Sequence, residues 1–207
     1  MALSFRIVQS IPVEGADWLQ FWESEYDKSD GPESNDVKFY AELIARNGDL
    51  SSEDIHNVGR WKDQAWTEGR WKVNVASVAR LGWEQLSNEK CPQPTELVAV
   101  LERWSESTYE DQQSTGRIVR KRFGLSRATT LLHFLSGGEY PILDSRVFAA
   151  IRRLDSSLKP DSSAKYYVDK FLPWFRQLKE DCGFPTTRSL DKALFAFGAA
   201  TLPVSIA

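Results

Sequence analysis

The chain has 207 residues, a length that suits one domain or two closely packed lobes around a sizeable core. A hydrophobic fraction of 42% and a charged fraction of 27% argue against extensive disorder, and two cysteines with two histidines exclude an iron–sulfur cluster and a structural zinc site. No apolar run approaches membrane-spanning length and no signal-peptide pattern opens the chain, so we expect a cytoplasmic monomer without a metal or cofactor.

Charge is distributed unevenly along the chain. The net charge of −3 is unlike the basic charge of a typical DNA-binding domain. Residues 1–50 contain ten Asp and Glu residues, whereas residues 116–138 contain none. That acid-free segment holds five basic residues, Arg117, Arg120, Lys121, Arg122 and Arg127. It is either a basic face for an anionic partner or an ordinary solvated helix face, and both interpretations stay open on charge alone.

The apolar spacing predicts an all-α chain with few strands. The first ten residues are consistent with an edge strand or a loosely packed arm. Residues 27–36 are polar and are predicted as a loop, and residues 105–115 are predicted as a linker or a helix end. Ser51 and Asp54 have the spacing of a capping box. Helices are predicted over residues 37–46, 74–86, 166–180 and 190–200, with others beginning near Asp17, Ser51 and Thr95.

Residues 122–154 have the most informative pattern. Gly124-Leu125-Ser126 is predicted as a turn, and residues 127–135 as a short apolar helix. Residues 140–143 are predicted to be extended, because a proline follows the first of them. Asp144 is then the predicted N-cap of a helix with an apolar side made of Val147, Phe148, Ile151 and Leu154.

This segment resembles the core of the helix-hairpin-helix DNA glycosylase superfamily. Gly124-Leu125-Ser126 matches the hairpin of that superfamily, and Leu143-Asp144-Ser145-Arg146-Val147 matches its aspartate motif. The runs SRATTLLHFL and YPILDSRV, with the closing run LDKALFAFG, look like a bacterial branch related to 8-oxoguanine DNA glycosylases. The likeness covers about a third of the chain. It implies one domain over residues 1–207 with two helical lobes, a hairpin and aspartate motif within residues 116–154, and duplex DNA with a flipped base as the partner.

A hairpin at the start of a helix exposes unpaired backbone N–H groups, and the helix dipole adds positive potential, so such a turn can bind a DNA phosphate. Gly124 and Ser126 are small enough to let a phosphate approach closely. The candidate DNA-binding residues are Arg120, Lys121, Arg122, Gly124, Ser126, Arg127 and Arg146. The alternative is a plain corner between two helices of a bundle.

Asp144 has a structural and a catalytic interpretation. An aspartate at a helix N-terminus is very often only a cap. The helix dipole also favours the charged carboxylate, and cleavage of an N-glycosidic bond builds positive charge on the sugar. A fixed carboxylate beside that sugar stabilises an oxocarbenium-like transition state and can activate the attacking water. The resemblance favours the catalytic interpretation.

One departure from the superfamily concerns the nucleophile. Bifunctional members carry a lysine two positions after the second hairpin glycine, and that lysine forms a Schiff base with the sugar. Ala128 occupies this place here. We therefore expect a monofunctional glycosylase, in which water attacks and an abasic site forms without strand cleavage.

The base pocket is marked less clearly than the aspartate motif. Trp61, Lys62 and Trp66 form a candidate cluster, and His133 and Tyr140 lie near the aspartate motif in the sequence. A buried core position is the alternative for each tryptophan, and a packed core histidine is the alternative for His133. The resemblance implies an oxidised purine as substrate. A bulky modified cytosine of phage DNA, excised in a defence role, is the second hypothesis.

Two other functions are compatible with the pattern. A non-catalytic DNA-binding module would use the same hairpin and basic segment, with Asp144 as a cap only. A helical interaction protein would bind a protein partner, in line with the overall acidity. A DNA affinity that falls steeply with salt distinguishes both DNA-binding functions from the interaction protein.

Overall fold

The computed structural model describes residues 4–5, 13–14, 16–30, 35–62, 82–84, 86, 92–112 and 116–201. These residues form a mostly helical fold, which confirms the predicted fold class at that level. Within these ranges, no helix combines the length and the apolar character needed to cross a membrane. Trp66 lies outside the described residues, as does most of the helix predicted over residues 74–86.

Helices follow one another along most of the described chain. They are α1 (Ala16–Asp30), α2 (Asn35–Ala45), α3 (Ser52–Lys62), α4 (Pro94–Glu106), α5 (Leu125–Leu135), α6 (Ser145–Leu154), α7 (Ala164–Tyr166), α8 (Leu172–Asp181) and α9 (Thr187–Thr201). A π-helical turn (Tyr167–Phe171) joins α7 to α8. Two antiparallel strand pairs are also present, β1 (Ser4–Phe5) with β2 (Val13–Glu14), and β3 (Thr108–Gln112) with β4 (Ile118–Arg122).

Local hydrogen bonds explain where α3 begins. The Asp54 carboxylate accepts from the Ser51 backbone N–H at 2.8 Å, and the Asp54 backbone N–H donates to the Ser51 hydroxyl at 3.2 Å. These reciprocal bonds form the capping box that the spacing of the two residues predicts. They fix the first turn of the helix whose last residue, Lys62, reaches the candidate site described below.

Helix α5 is the most deeply buried helix segment near the site. Every residue from 128 to 136 is buried, and α5 packs against α2, α3 and α4. A helix surrounded in this way must be apolar on all sides, as the sequence predicts for residues 127–135. Its few polar side chains, among them Thr129 and His133, are therefore carried into the interior.

Helix α9 packs against both α1 and α6. Gly198 permits the close contact with α6, because a Cβ atom at this position would lie 1.8 Å from the carbonyl oxygen of Arg146. No side chain fits between two backbones at that range, which leaves glycine as the residue that the packing accepts. The run LDKALFAFG therefore ends on a residue that holds α9 against the start of α6.

A β-hairpin joins α4 to α5. Thr108 pairs with Arg122, and Gln112 pairs with Ile118. The prediction of a linker or a helix end over residues 105–115 holds where α4 ends at Glu106 and is wrong where β3 lies. The physical reason is that Thr108–Gln112 is almost entirely polar in sequence and β4 has mostly exposed side chains along its length, so neither strand shows apolar alternation.

The predicted turn at Gly124-Leu125-Ser126 is wrong in its extent. Gly124 alone of the three lies outside α5, with a φ of 81° that suits glycine, and Leu125 and Ser126 are the first helical residues. The element before Gly124 is strand β4. In this part of the described chain, a helix and a strand flank the glycine, rather than the two helices that a helix-hairpin-helix motif implies.

Candidate active site

Asp144 is the N-cap of α6, as the sequence predicts. Its backbone is extended, and its Oδ1 atom accepts hydrogen bonds from the backbone N–H groups of Arg146 and Val147, both at 3.0 Å. These bonds satisfy two of the donors that a helix N-terminus otherwise leaves without partners. The cap occupies one carboxylate oxygen and leaves Oδ2 for another interaction.

Lys62 supplies that second interaction. Its Nζ atom donates to Asp144 Oδ2 at 2.8 Å, and only 15% of the Lys62 side chain and 11% of the Asp144 side chain are exposed. The pair neutralises two charges that would otherwise be buried alone, so removing either partner leaves an uncompensated charge. Sequence reasoning assigned Lys62 to the base pocket and Asp144 to catalysis, and the structure brings the two side chains together.

The loop of residues 140–143, which leads into Asp144, is held by side chains from other elements. Two of its carbonyl groups accept hydrogen bonds, Tyr140 from His133 Nδ1 at 2.6 Å and Pro141 from the Tyr167 hydroxyl at 2.8 Å. Two of its backbone N–H groups donate, Ile142 to Asp191 Oδ1 at 3.2 Å and Leu143 to Thr129 Oγ1 at 3.1 Å. All four partner side chains are buried. The loop has a bend at Tyr140 and no regular secondary structure after it, and these four hydrogen bonds fix the position of Asp144.

His133 is fully buried and uses both ring nitrogens. A carbonyl oxygen only accepts, so Nδ1 carries the proton and donates to Tyr140, and Nε2 accepts from the Tyr40 hydroxyl at 2.7 Å. Burial, together with the nearby charge of Arg188, lowers the pKa of His133 to about 3. Burial also raises the pKa of Tyr40. The histidine is therefore neutral and positions the loop, which matches the packed-core alternative.

The unfolding free energy is expected to fall as the pH drops below about 6.5, because the unfolded chain then binds a proton that folded His133 does not accept until about pH 3. Above about pH 6.5 the ionisation of His133 costs no stability, and at pH 5 it lowers the free energy of unfolding by about 2 kcal/mol. Urea unfolding of the wild type and of His133→Asn at pH 7 and pH 5 tests it. The asparagine keeps a donor for the Tyr140 carbonyl but does not titrate, so equal pH slopes would contradict the prediction.

Arg188 and Asp191 form a second buried ion pair beside the loop. Arg188 Nη1 donates to Asp191 Oδ2 at 2.7 Å, and Nη2 donates to the Tyr26 hydroxyl at 2.9 Å. The guanidinium carbon also lies over three aromatic rings, 5.3 Å from the centroid of Tyr26, 4.9 Å from that of Tyr40 and 5.4 Å from that of Trp61. This cluster ties α1, α2 and α3 to α9.

Asp191 links the two ion pairs electrostatically. Burial raises the pKa of Asp191, the Arg188 guanidinium opposes that rise, and the charge of Asp144 adds to it. The two carboxylates are therefore close enough to interact, and each has its own cationic partner. Sequence reasoning missed both Arg188 and Asp191. The available signal was an acidic residue inside the mostly apolar run LDKALFAFG.

Trp61 and Tyr140 are half-buried in the structure. The Trp61 ring packs edge-on against Phe134, with centroids 5.2 Å apart, and against Tyr40 at 6.2 Å. Trp61 thus belongs to the aromatic cluster that supports the site. The Tyr140 carbonyl accepts from His133, which gives this residue a structural role in the loop.

The predicted DNA-binding residues occupy the hairpin, the start of α5 and the start of α6. Arg120, Lys121 and Arg122 are exposed on β4, and a Cβ atom at Gly124 would meet nothing within 4 Å, so the space before α5 is open. The other three predicted residues contact neighbouring groups. The Ser126 carbonyl accepts from the Thr130 hydroxyl at 2.8 Å, and Arg127 donates to the Phe123 carbonyl at 3.0 Å. The Arg146 guanidinium carbon lies 4.2 Å from the centroid of the Phe195 ring.

Among the described residues, no three His, Cys, Asp or Glu side chains are grouped so that they could hold a metal ion. The candidate site therefore consists of the ion pairs Lys62–Asp144 and Arg188–Asp191 and the loop between them. No protein-family model, no curated protein and no solved structure matches this chain significantly.

Proposed function

We propose that this protein is a DNA glycosylase that hydrolyses the N-glycosidic bond of a flipped base, with Asp144 as the catalytic carboxylate. The observation that carries the proposal is the immobilised position of Asp144, which caps α6 through Oδ1 and presents Oδ2 to a buried cation. A carboxylate held in this way needs no reorganisation when positive charge develops on the sugar. An ionised carboxylate can also orient or deprotonate the attacking water.

The basic residues support DNA as the partner. Arg120 and Arg122 are exposed on β4, and the hairpin leads directly into the N-terminus of α5, whose first-turn N–H groups suit a phosphate. Affinity for duplex DNA should accordingly fall steeply with salt. The proposal includes one two-lobed cytoplasmic domain that acts in DNA repair or antiviral defence without a cofactor.

The proposed product is an abasic site in an uncut strand. Ala128 stands where the Schiff-base lysine of bifunctional relatives would lie, and this favours water as the nucleophile. The proposed substrate is an oxidised purine or a bulky modified cytosine of phage DNA. Both are read after base flipping, which presents the base to a pocket outside the duplex.

Asp144→Asn is expected to slow base release at least about 100-fold, since it removes the charge that stabilises the transition state. The amide oxygen still accepts the capping N–H groups, so the start of α6 should be retained. Lys62 loses its carboxylate partner, so urea unfolding of the variant must show a folded protein before the rates are compared. The assay uses duplexes containing 8-oxoguanine, uracil or alkylated bases, together with phage DNA carrying modified cytosines. Mass spectrometry detects released bases, and alkaline cleavage detects abasic sites.

Asp161→Asn is the matched control, because this exposed carboxylate lies outside the site and accepts only a local bond from Ser163. It should release base at the wild-type rate. Salt-sensitive DNA binding by the wild type without release from any duplex would instead support the non-catalytic DNA-binding module. Release at equal rates by wild type and Asp144→Asn would remove Asp144 from the mechanism.

A further inference from the structure

Hydrolysis assisted by the Asp144 carboxylate does not by itself require the ammonium group of Lys62. An ammonium group has three N–H donors, and one of those of Lys62 meets Asp144 Oδ2 at 2.8 Å. Replacing a buried ion pair by apolar residues is often neutral or stabilising, so stability alone is weak ground for this arrangement. The side chain also retains 15% exposure, which leaves it accessible from outside the core.

Breaking the bond between the sugar and the base separates charge. The sugar becomes positive and the departing base becomes negative, so the matching site carries a negative and a positive group side by side. Asp144 and Lys62 provide this pair at 2.8 Å. Resting on the proposed glycosylase function, we propose that Lys62 is a second catalytic residue, the general acid that protonates the departing base.

The contact between the two residues closes the proton balance. The C1′–N bond breaks, its electron pair goes to the base nitrogen, and that nitrogen takes a proton from Lys62 Nζ. Water adds its oxygen to C1′ and gives one proton to Asp144. That proton returns to the neutral amine of Lys62 across the 2.8 Å contact. The sum is one water consumed, one protonated base released and one abasic sugar formed.

The neighbouring side chains of His133 and Asp191 are not suited to protonate the departing base. His133 is neutral, with Nδ1–H bound to the Tyr140 carbonyl and Nε2 occupied by Tyr40. Asp191 is engaged by Arg188 and by the Ile142 N–H. Lysine, unlike arginine, can release a proton in a buried site. Among the described residues in contact with Asp144 through a side chain, Lys62 is the one that carries a transferable proton.

The experiment compares two departing bases in single-turnover assays with saturating enzyme. One duplex carries the base that the panel above identifies, and the other carries its ring-fluorinated analogue at the same position. Fluorine withdraws electrons, so the analogue departs with less need of a proton. Lys62→Gln removes the acid, Lys62→Arg keeps the charge but holds its protons, and Lys38→Gln on the exposed side of α2 is the control.

Both Lys62 variants are expected to slow release of the ordinary base by about 100-fold and release of the fluorinated base by less than about 5-fold. Lys38→Gln should match the wild type on both. Equal slowing of the two bases, in variants whose urea unfolding shows a folded protein, would overturn the proposal and leave Lys62 a purely structural partner of Asp144. Borohydride trapping of wild type, but not of Lys62→Arg, would overturn it by making the amine the nucleophile.

The two proposals fail in different ways. No base release by the wild type from any duplex would overturn the glycosylase function, and the role of Lys62 would fall with it. A second outcome is that base release depends on Asp144 while the Lys62 variants slow release of the ordinary and the fluorinated base equally. This outcome would overturn only the role of Lys62.

Discussion

Gly198→Ala is expected to lower the free energy of unfolding by about 3 kcal/mol or to prevent folding, because an added Cβ would lie 1.8 Å from the Arg146 carbonyl oxygen and 2.5 Å from its carbon. Both are backbone atoms, so no side-chain rotation relieves the overlap. Helix α9 must move away from α6 and loosen a large part of the packing between them. Helix propensity alone predicts the opposite sign, a gain of about 1 kcal/mol.

Urea unfolding of the wild type and the variant measures the difference. Ala199→Gly is the matched control on the same helix, at an exposed position, and should lose about 1 kcal/mol from propensity. Arg146 lies two residues after Asp144, so base release should also decrease in Gly198→Ala. A variant as stable as the wild type would mean that α9 and α6 are not in close contact at this point.

Asp191→Ala is expected to lower the free energy of unfolding by about 3 to 5 kcal/mol, since it leaves Arg188 as a buried charge without its carboxylate. Only 15% of the Arg188 side chain and 4% of the Asp191 side chain are exposed. The Ile142 N–H loses its acceptor in the same variant. Asp191→Asn should be less harmful, because the amide oxygen can still accept from Ile142.

A double-mutant cycle with Arg188→Met separates these contributions. The double variant Arg188→Met/Asp191→Ala should be more stable than Asp191→Ala alone, because no isolated charge remains. Lys192→Ala provides the control, since its ion pair with Asp27 lies at the surface and should contribute less than about 1 kcal/mol. A loss in Asp191→Ala no larger than in Lys192→Ala would contradict a buried, coupled pair.

Local patterns predicted the parts of the site that depend on neighbouring residues. The position of Asp144 before an apolar helix predicted its cap, and the structure confirms that cap. A cap follows from interactions within a few residues of the chain. Local patterns did not predict the partners that tertiary packing brings to Asp144. Lys62 was selected because it follows Trp61, whereas the structure pairs it with an aspartate 82 positions away.

The hairpin between α4 and α5 shows another limit of pattern reasoning. Strands are recognised by alternation of buried and exposed side chains, and β4 exposes Ile118 as well as its basic residues. A strand whose side chains are mostly exposed gives no such signal. The mostly helical class was predictable because the helices bury one or more apolar faces. The DNA partner and the catalytic activity remain predictions.

The four side chains that hold the loop before Asp144 come from positions 129, 133, 167 and 191. Two of them, Tyr167 and Asp191, follow Asp144 in the chain. During synthesis on the ribosome, the carboxylate is therefore made well before the groups that align it. The loop before Asp144 becomes ordered only after the helix that carries Asp191 has emerged and docked, so a nascent chain lacks the aligned carboxylate.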